Sequence, residues 1–269
     1  MQKTRYTILI ILLSLTNISL WAQNHAFTHG ENIRLTVSFN LGFISVKAAQ
    51  ANLIANCGTY NNVDVYNLEL AAKTIKAFKS FNIRDTLRAK VDPITLNPIF
   101  TQVQSHEDNY FSSYQTTYTQ KDTKHYARVQ KFKRSGLVSD TTIITDKIYL
   151  DVMSFLYQIR NINDKDLIVN KKYPFPMLFQ NSTYELYWRY AGRETITVRK
   201  GETYNCIKIC PCFVEGTLFD KGEVMTIWLT DDQNRIPVFI EARLKIGSIK
   251  AVVENIKGNK FPISALQRN

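Results

Sequence analysis

The chain of 269 residues is 45% hydrophobic and 21% charged, and its formal net charge is +11 at pH 7. A basic surface of this kind attracts anionic glycans, nucleic acids or lipid headgroups. The lysines and arginines are nevertheless spread along the chain, with only short clusters such as residues 131–134. This distribution argues against a specific nucleic-acid or polyanion site.

The first 22 residues are predicted to be a secretory signal peptide. Lys3 and Arg5 precede a short apolar stretch at residues 8–13, whereas a bilayer-spanning helix needs ~20 apolar residues. An uncleaved N-terminal anchor helix is the alternative. We therefore expect export to the periplasm or beyond, with a mature start at Gln23 and no transmembrane span after processing. No cysteine lies near the cleavage point, so a lipid anchor is not expected.

Strand patterns dominate the rest of the chain. Apolar and polar residues alternate with period two at residues 35–39 and 63–70, as in strands with one buried face. Further candidate strands span 98–105, 109–119, 125–133, 137–145, 183–191, 193–200, 203–213, 223–230, 238–246 and 249–256. This pattern predicts a mainly β fold over residues 23–269, an antiparallel barrel-like or strongly curved sheet with one or two short helices packed on or in it.

Two helices are predicted among the strands. Residues 149–163 contain Asp151, a natural N-cap whose carboxylate accepts the free N–H groups of the first turn. Apolar residues follow it in one stripe at helical spacing, and Arg160 places a cation at the C-terminal end, where the helix dipole favours it. This helix is expected to plug or flank the sheet. A second, shorter helix is predicted from Ala71 to Phe81.

Residues 171–179 are predicted to be extended, because Pro174 and Pro176 restrict the backbone. We interpret them as a crossing between two halves of one β structure. If the domain is divided into two halves, those halves meet near residues 171–180.

Four cysteines follow the signal segment, and these are Cys57, Cys206, Cys210 and Cys212. On a strand, Cys206 and Cys210 would lie ~13 Å apart at ~3.3 Å per residue, beyond the ~7 Å that a disulfide allows between Cα atoms. A bond from Cys57 to one of the other three stays open. The cysteine spacing is weak evidence for zinc. Buried free thiols are the prediction, because cysteine behaves as a small hydrophobic residue.

The acidic pair Asp231-Asp232 lies at a break between two strands. Adjacent residues of an extended chain point to opposite faces, so the two carboxylates would not converge as a catalytic pair. The composition Asp-Asp-Gln-Asn is typical of a turn, and the calcium-loop pattern is not completed because Ile236 and Pro237 follow. A turn is therefore predicted here.

Farther on, the apolar residues change from even to odd positions near Gly247-Ser248. A two-residue type II′ turn explains the change, since glycine suits its first position. A β-bulge is the alternative. The turn would pair Ile246 with Ile249 and place Lys245 opposite Lys250, which is an unfavourable contact.

Three stretches occur in order along the chain: GENIRLTVSFN at 30–40, DVMSFLYQIR at 151–160 and IWLTDDQNRIPVFIEARLKIGSIKAVV at 227–253. Together they resemble the exported bacterial family catalogued as domain of unknown function 3108. The resemblance implies an extracytoplasmic, barrel-like β fold without an established activity. It supplies no catalytic residues.

Two groups of residues are candidate ligand-binding sites. His106, Glu107 and Tyr110 combine an imidazole, a carboxylate and an aromatic ring, a set that suits a sugar or a cation, although a polar hairpin end followed by an aromatic-rich strand is the favoured explanation. Trp188 and Tyr190 share one face of a strand and either pack in the core or line a cavity. No catalytic, phosphate-binding or dinucleotide-binding motif is present, so no catalytic residue, metal or cofactor is predicted.

The sequence favours a non-enzymatic, exported cell-envelope protein that binds an apolar or glycan ligand, or a lipid or protein partner of the envelope. For a small ligand we expect a dry, continuous cavity above ~300 Å³ that is lined by the aromatic faces of the strands. One alternative is a hydrolase of envelope glycans, in which Glu107 and Asp108 beside His106 would need a second carboxylate ~5–9.5 Å away in a cleft. The other is a structural or assembly role through exposed strand edges.

Overall fold

The computed structural model describes residues 26–75, 82–213 and 221–267. The predicted signal peptide and its cleavage point therefore lie outside the described residues. The described part of the chain forms fifteen strands in one sheet and one α-helix, α1 (Val152–Ile159). The strands are β1 (Glu31–Leu41), β2 (Ile44–Tyr60), β3 (Val63–Thr74), β4 (Ile83–Val91), β5 (Pro98–Glu107), β6 (Tyr110–Lys121), β7 (Lys124–Lys133), β8 (Gly136–Thr145), β9 (Lys172–Phe179), β10 (Ser182–Thr197), β11 (Thr203–Pro211), β12 (Met225–Thr230), β13 (Pro237–Arg243), β14 (Ser248–Lys257) and β15 (Leu266–Gln267).

Neighbouring strands of the sheet are antiparallel. The strand order is β8-β7-β6-β5-β4-β3-β2-β1-β14-β13-β12-β11-β10-β9, and β15 pairs with β11. The two edge strands, β8 and β9, do not pair with each other, so the sheet is strongly curved without closing. The predicted mainly β, antiparallel, barrel-like fold with a short helix is confirmed.

The turns alternate between two ends of the sheet, because each strand reverses the direction of the last. At one end, which we call the helix end, lie α1 and the turn between β12 and β13. The opposite end, which we call the hairpin rim, carries the turns at residues 42–43, 108–109, 134–135, 180–181 and 244–247. The two ends therefore present different groups of side chains.

The helix α1 begins as predicted. The Asp151 carboxylate accepts hydrogen bonds from the backbone N–H groups of Met153 and Ser154, both at 3.0 Å. Met153 and Tyr157 are fully buried, and the Tyr157 ring meets Phe27 edge to face at a centroid distance of 4.6 Å. The helix thus packs into the main core of the curved sheet at the helix end.

The prediction of a second helix from Ala71 to Phe81 is wrong for residues 71–74, which form a strand. Residues 71–74 belong to β3, where Ala71 pairs with Thr86 of β4 and with Asn52 of β2. Pairing on both sides overrides the helix propensity of alanine. Residues 76–81, the rest of that predicted helix, lie outside the described residues.

Residues 172–179, predicted only as extended, form the edge strand β9. Pro174 and Pro176 are accommodated there because proline has no N–H group for a second neighbouring strand. The two strands predicted at 183–191 and 193–200 are one long strand, β10, whose pairing with β11 shifts register between Tyr190 and Arg193.

The predicted two-residue turn at Gly247-Ser248 is wrong. Arg243 pairs with Ser248, so that a four-residue loop joins β13 and β14. Ile249 was predicted to pair with Ile246 but pairs with Ala242. Because the shift is an even number of residues, the apolar residues stay on the same face. The new register also places Glu241 opposite Lys250, with an Oε1–Nζ distance of 3.3 Å. An ion pair thus replaces the like-charge contact that the two-residue turn would have produced.

All four cysteine thiols are free. Cys206 and Cys210 are buried as predicted, and burial raises the pKa of Cys206 to about 12. The prediction is wrong for Cys57, which is exposed on β2 near the helix end, and Cys212 is only partly buried.

Candidate functional site

The largest of three cavities described here is a polar cleft at the helix end. Its volume is about 760 Å³, and it lies between the C-terminal end of α1, the β12–β13 turn and residues 261–264. A second cavity, of about 140 Å³, is lined mainly by apolar and aromatic residues where β6–β8 approach β9 and β10. A third, of about 340 Å³, lies near the hairpin rim between Lys131, Lys133 and Asn181. The cleft is the candidate functional site.

Arg160 lies at the base of the cleft, in a buried ion pair with Glu31. Their side chains are 1% and 0% exposed, and Nη1 and Nη2 of Arg160 donate to the two Glu31 oxygens at 2.6 and 2.8 Å. Nη2 also donates to the backbone oxygen of Asn234 at 3.0 Å. Burial alone would lower the pKa of Arg160. The attraction and hydrogen bonds of Glu31 outweigh this effect and hold the pKa of Arg160 above its ordinary value. The pair joins α1, β1 and the β12–β13 turn.

Three charged groups of one cleft wall, Asp164, Asp231 and Arg235, form a network with Arg193 of β10, which is not part of the cleft lining. Arg235, which is buried, donates to Asp231 Oδ1 at 2.8 Å and also contacts Asp164. Arg193 donates to Asp231 Oδ2 at 2.6 Å and to Asp164 Oδ1 at 3.3 Å. Partial burial raises the pKa of Asp231, but the two guanidinium groups outweigh it and hold that pKa below its usual range. Each cation of this network is therefore paired with a carboxylate.

Asp232 organises the turn beside Asp231. Its carboxylate accepts hydrogen bonds from Thr230 Oγ1 at 2.8 Å, from the Asn234 N–H at 3.0 Å and from the Ala265 N–H at 3.2 Å. Asp231 instead faces the two arginines. The two carboxylates thus have separate structural partners, and the predicted turn is confirmed.

The lowered pKa of Asp231 predicts a pH dependence of stability. Because this pKa lies below the unfolded value of about 3.9, the charged group stabilises the fold above that pH, and the contribution is lost as pH falls through the folded pKa. Between about pH 5 and about pH 2, wild type should lose more unfolding free energy than Asp231→Asn in urea titrations. The excess should stay below ~1 kcal/mol, since solvent screens the ion pairs. Equal slopes for wild type and Asp231→Asn would contradict the pairing.

The mouth of the cleft carries uncharged polar side chains. Asn163, Gln233 and Ser264 are exposed and line it, and the partly buried ring of Phe261 lies beside them. Amides and hydroxyls both donate and accept hydrogen bonds. The arrangement thus combines neutral hydrogen-bonding groups and one aromatic ring above a charge-balanced base and wall.

The five residues singled out from the sequence lie in two separate places. His106, Glu107 and Tyr110 are exposed at the β5–β6 turn of the hairpin rim, where the His106 ring meets Phe111 at 4.7 Å. Trp188 and Tyr190 are buried in the core. None of the five lines the three cavities described above. Their role in binding stays a prediction.

Sequence reasoning missed the cleft because its members are far apart in the chain. Arg160 and Glu31 are separated by 129 positions, and Arg235 and Asp164 by 71. One feature of the sequence could have pointed to the cleft. The run Asp231 to Arg235 combines charged and amide side chains at a single turn. The pattern indicated the turn, whereas two further partners of its charges come from distant positions, Arg193 on β10 and Asp164 in the connection between α1 and β9.

Residues 26–75, 82–213 and 221–267 contain neither a metal-ligand cluster nor a membrane-spanning helix. No three His, Cys, Asp or Glu side chains in this part of the chain are grouped so that they could hold a metal ion. In the same part, no helix has the length and hydropathy to cross a membrane.

Comparisons with known proteins agree with the architecture. The family model described as a protein of unknown function (DUF3108) matches residues 34–254. No curated protein is significantly similar in sequence. A crystal structure of a β-barrel-like protein of domain of unknown function DUF1849 from Brucella abortus aligns with a TM-score of 0.54 at 7% identity, covering 86% of this chain and 98% of that one. At this identity the likeness concerns the fold alone.

Proposed function

The chain belongs to the DUF3108 family of proteins of unknown function. From its barrel-like fold and polar cleft, we propose that it is an exported, non-enzymatic protein of the cell envelope that binds a neutral glycan at the helix end. The observation that carries the proposal is the cleft, whose volume of about 760 Å³ lies within the range of ligand sites. Sugars present many hydroxyl groups, and the amides of Asn163 and Gln233 with the Ser264 hydroxyl are suited to bond them.

The charge balance of the cleft favours a neutral ligand over a polyanion. Arg193 and Arg235 are already paired with Asp164 and Asp231, and Arg160 is paired with Glu31. An anionic glycan would have to approach the carboxylates of Asp164, Asp231 and Asp232, which line the cleft, while these cations are occupied. The net charge of +11 therefore does not translate into a basic cleft.

An apolar ligand is less well supported. The cavity lined by apolar and aromatic groups has a volume of only about 140 Å³, below the ~300 Å³ typical of small-molecule sites. Trp188 is stacked on Tyr173 at a centroid distance of 4.1 Å within the core, and Tyr190, two residues farther along β10, is also buried. The Trp188 ring is therefore already stacked on another ring of the protein, and the Tyr190 ring is enclosed in the core.

The location in the cell envelope rests on the sequence of residues 1–22, which is typical of a secretory signal. We propose release into the periplasm or beyond without a lipid anchor. No observation favours the hydrolase alternative, since Glu107 and Asp108 lie on an exposed turn outside the three cavities. A general acid also needs a raised pKa, whereas that of Asp231 is lowered.

A blocking variant tests the cleft. Ser264→Trp places a large ring at an exposed position of its lining and should abolish binding, because the ligand and the ring would compete for the same space. The protein is exported with its own N-terminus, recovered from the periplasm and titrated calorimetrically with neutral cello- and chito-oligosaccharides and with anionic oligogalacturonates. Wild type should bind a neutral oligosaccharide and not the anionic one.

The matched control is Ser135→Trp, in the β7–β8 turn at the hairpin rim, which should bind as wild type does. Binding that survives Ser264→Trp, or a wild type that prefers oligogalacturonate, would contradict the neutral-glycan site. N-terminal sequencing of the same preparation should find Gln23; retention of residues 1–22 in a membrane fraction would contradict release.

A further inference from the structure

A cluster of exposed apolar side chains lies at the hairpin rim, opposite the cleft. We call it the apolar tip, and it consists of Leu41, Phe43, Ile44, Val46 and Ile246. Phe43 is 110% exposed relative to an isolated residue and Ile246 is 72% exposed. Large apolar side chains grouped on a surface in this way mark contacts with another molecule or a membrane.

The apolar tip is one surface although it comes from two loops. The β1–β2 turn at residues 42–43 and the β13–β14 loop at residues 244–247 are neighbours, because β1 pairs with β14 and Asn40 lies opposite Ser248. Gly247 is so close that an added Cβ would lie 2.4 Å from the Asn40 backbone oxygen. The two loops therefore meet at the rim.

The charged side chains of the two segments that form the apolar tip are of one sign. Residues 36–50 and 242–253 contain no Asp or Glu. Lys47 and Arg243 are exposed within them. The carboxylates that border these segments already have cationic partners, since Glu241 pairs with Lys250 at 3.3 Å and Glu254 with Arg199 at 3.2 Å. The two segments that form the tip are thus basic.

We propose that the apolar tip docks the protein on an anionic lipid surface, with Phe43 and Ile246 inserted among the headgroups and acyl chains. Lipid interfaces take up apolar side chains from a protruding element, and basic groups beside them are attracted to anionic headgroups. This inference does not depend on the glycan cleft. It assigns a membrane contact to a chain whose described residues contain no membrane-spanning helix.

Other turns of the hairpin rim support the same orientation. Tyr110, Leu137 and Phe179 are exposed next to the turns at residues 108–109, 134–135 and 180–181. They come from three further hairpins, so the apolar groups are distributed around the rim and not confined to one groove. A rim of separate apolar points fits a deformable lipid surface, which does not need a matching shape.

An environment-sensitive tryptophan tests insertion directly. Phe43→Trp adds an exposed indole to a chain whose described tryptophans, Trp188 and Trp228, are buried. With vesicles of phosphatidylcholine and phosphatidylglycerol its emission should shift to the blue, and the shift should disappear with pure phosphatidylcholine or high salt. The control Val63→Trp, at the exposed first residue of β3 beside the β2–β3 turn at the helix end, should show no shift. The periplasmically processed full protein is used throughout.

Removal of the apolar groups gives the second measurement. The double variant Phe43→Ser, Ile246→Ser should lower partitioning to anionic vesicles by roughly 10- to 100-fold, whereas Val63→Ser, Ile94→Ser at the other end should not change it. Lys47→Glu, Arg243→Glu should remove the dependence on phosphatidylglycerol. Failure of wild type to bind either vesicle overturns the proposal, as does equal loss in both serine variants. A dimer or protein complex that forms without vesicles and is lost only in the first variant would assign the tip to a protein partner and overturn it too.

Discussion

Replacing Arg160 with methionine should lower the free energy of unfolding by about 3–5 kcal/mol. The substitution leaves Glu31 charged and fully buried without the two hydrogen bonds, at 2.6 and 2.8 Å, that now satisfy it. It also removes the donor to the Asn234 backbone oxygen. Urea unfolding monitored by circular dichroism measures the loss.

Two further variants separate the ion pair from the volume of its side chains. Glu31→Leu combined with Arg160→Met should recover most of the stability, because a well-packed apolar pair often replaces a buried ion pair without loss. Arg128→Met breaks an exposed pair with Asp140 and should leave unfolding almost unchanged. A small effect of Arg160→Met alone would contradict the buried pairing.

Gly247→Ala should destabilise the fold by about 2–5 kcal/mol in total, from a left-handed backbone strain of about 1–2 kcal/mol and overpacking of about 1–3 kcal/mol. Gly247 has φ of +78°, and an added Cβ would meet the Asn40 backbone oxygen at 2.4 Å and the Phe39 ring at 3.0 Å. Since the contact includes backbone of β1, rotation of one side chain cannot relieve it.

Gly201 provides a matched control because it has the same φ of +78° and no atom within 4 Å of the added Cβ. Gly201→Ala should therefore show the backbone strain alone. The difference between the two alanine variants, measured as a shift in the midpoint of thermal or urea unfolding, reports the contact between the β13–β14 loop and β1. Equal losses would mean that the loop yields, and would contradict the close approach.

Local signals predicted the fold class well. The period-two alternation at residues 63–70 predicted β3, which is paired with both β2 and β4. Asp151 caps α1 through its own carboxylate, and Asp232 organises its turn through the N–H of Asn234. Each of these features depends on groups within a few positions of one another, so sequence spacing was sufficient.

Long-range pairing set the features that sequence spacing could not predict. The β13–β14 register depends on the Glu241–Lys250 pair and on the approach of Gly247 to β1, and both the predicted and the observed registers keep apolar residues on the same face. Arg160 was interpreted through the helix dipole, whereas its partner is 129 positions away. The cleft was missed for the same physical reason.

One strand connects the two ends of the molecule. β1 begins at Glu31, beneath the cleft, and ends at Leu41, within the apolar tip. Eleven residues at ~3.3 Å each span about 36 Å. The strand is paired on both sides, with β2 and β14, and so acts as a rigid spacer. A ligand in the cleft is therefore held at a fixed distance from the surface that the apolar tip contacts. The length of β1, and not a flexible linker, determines this distance.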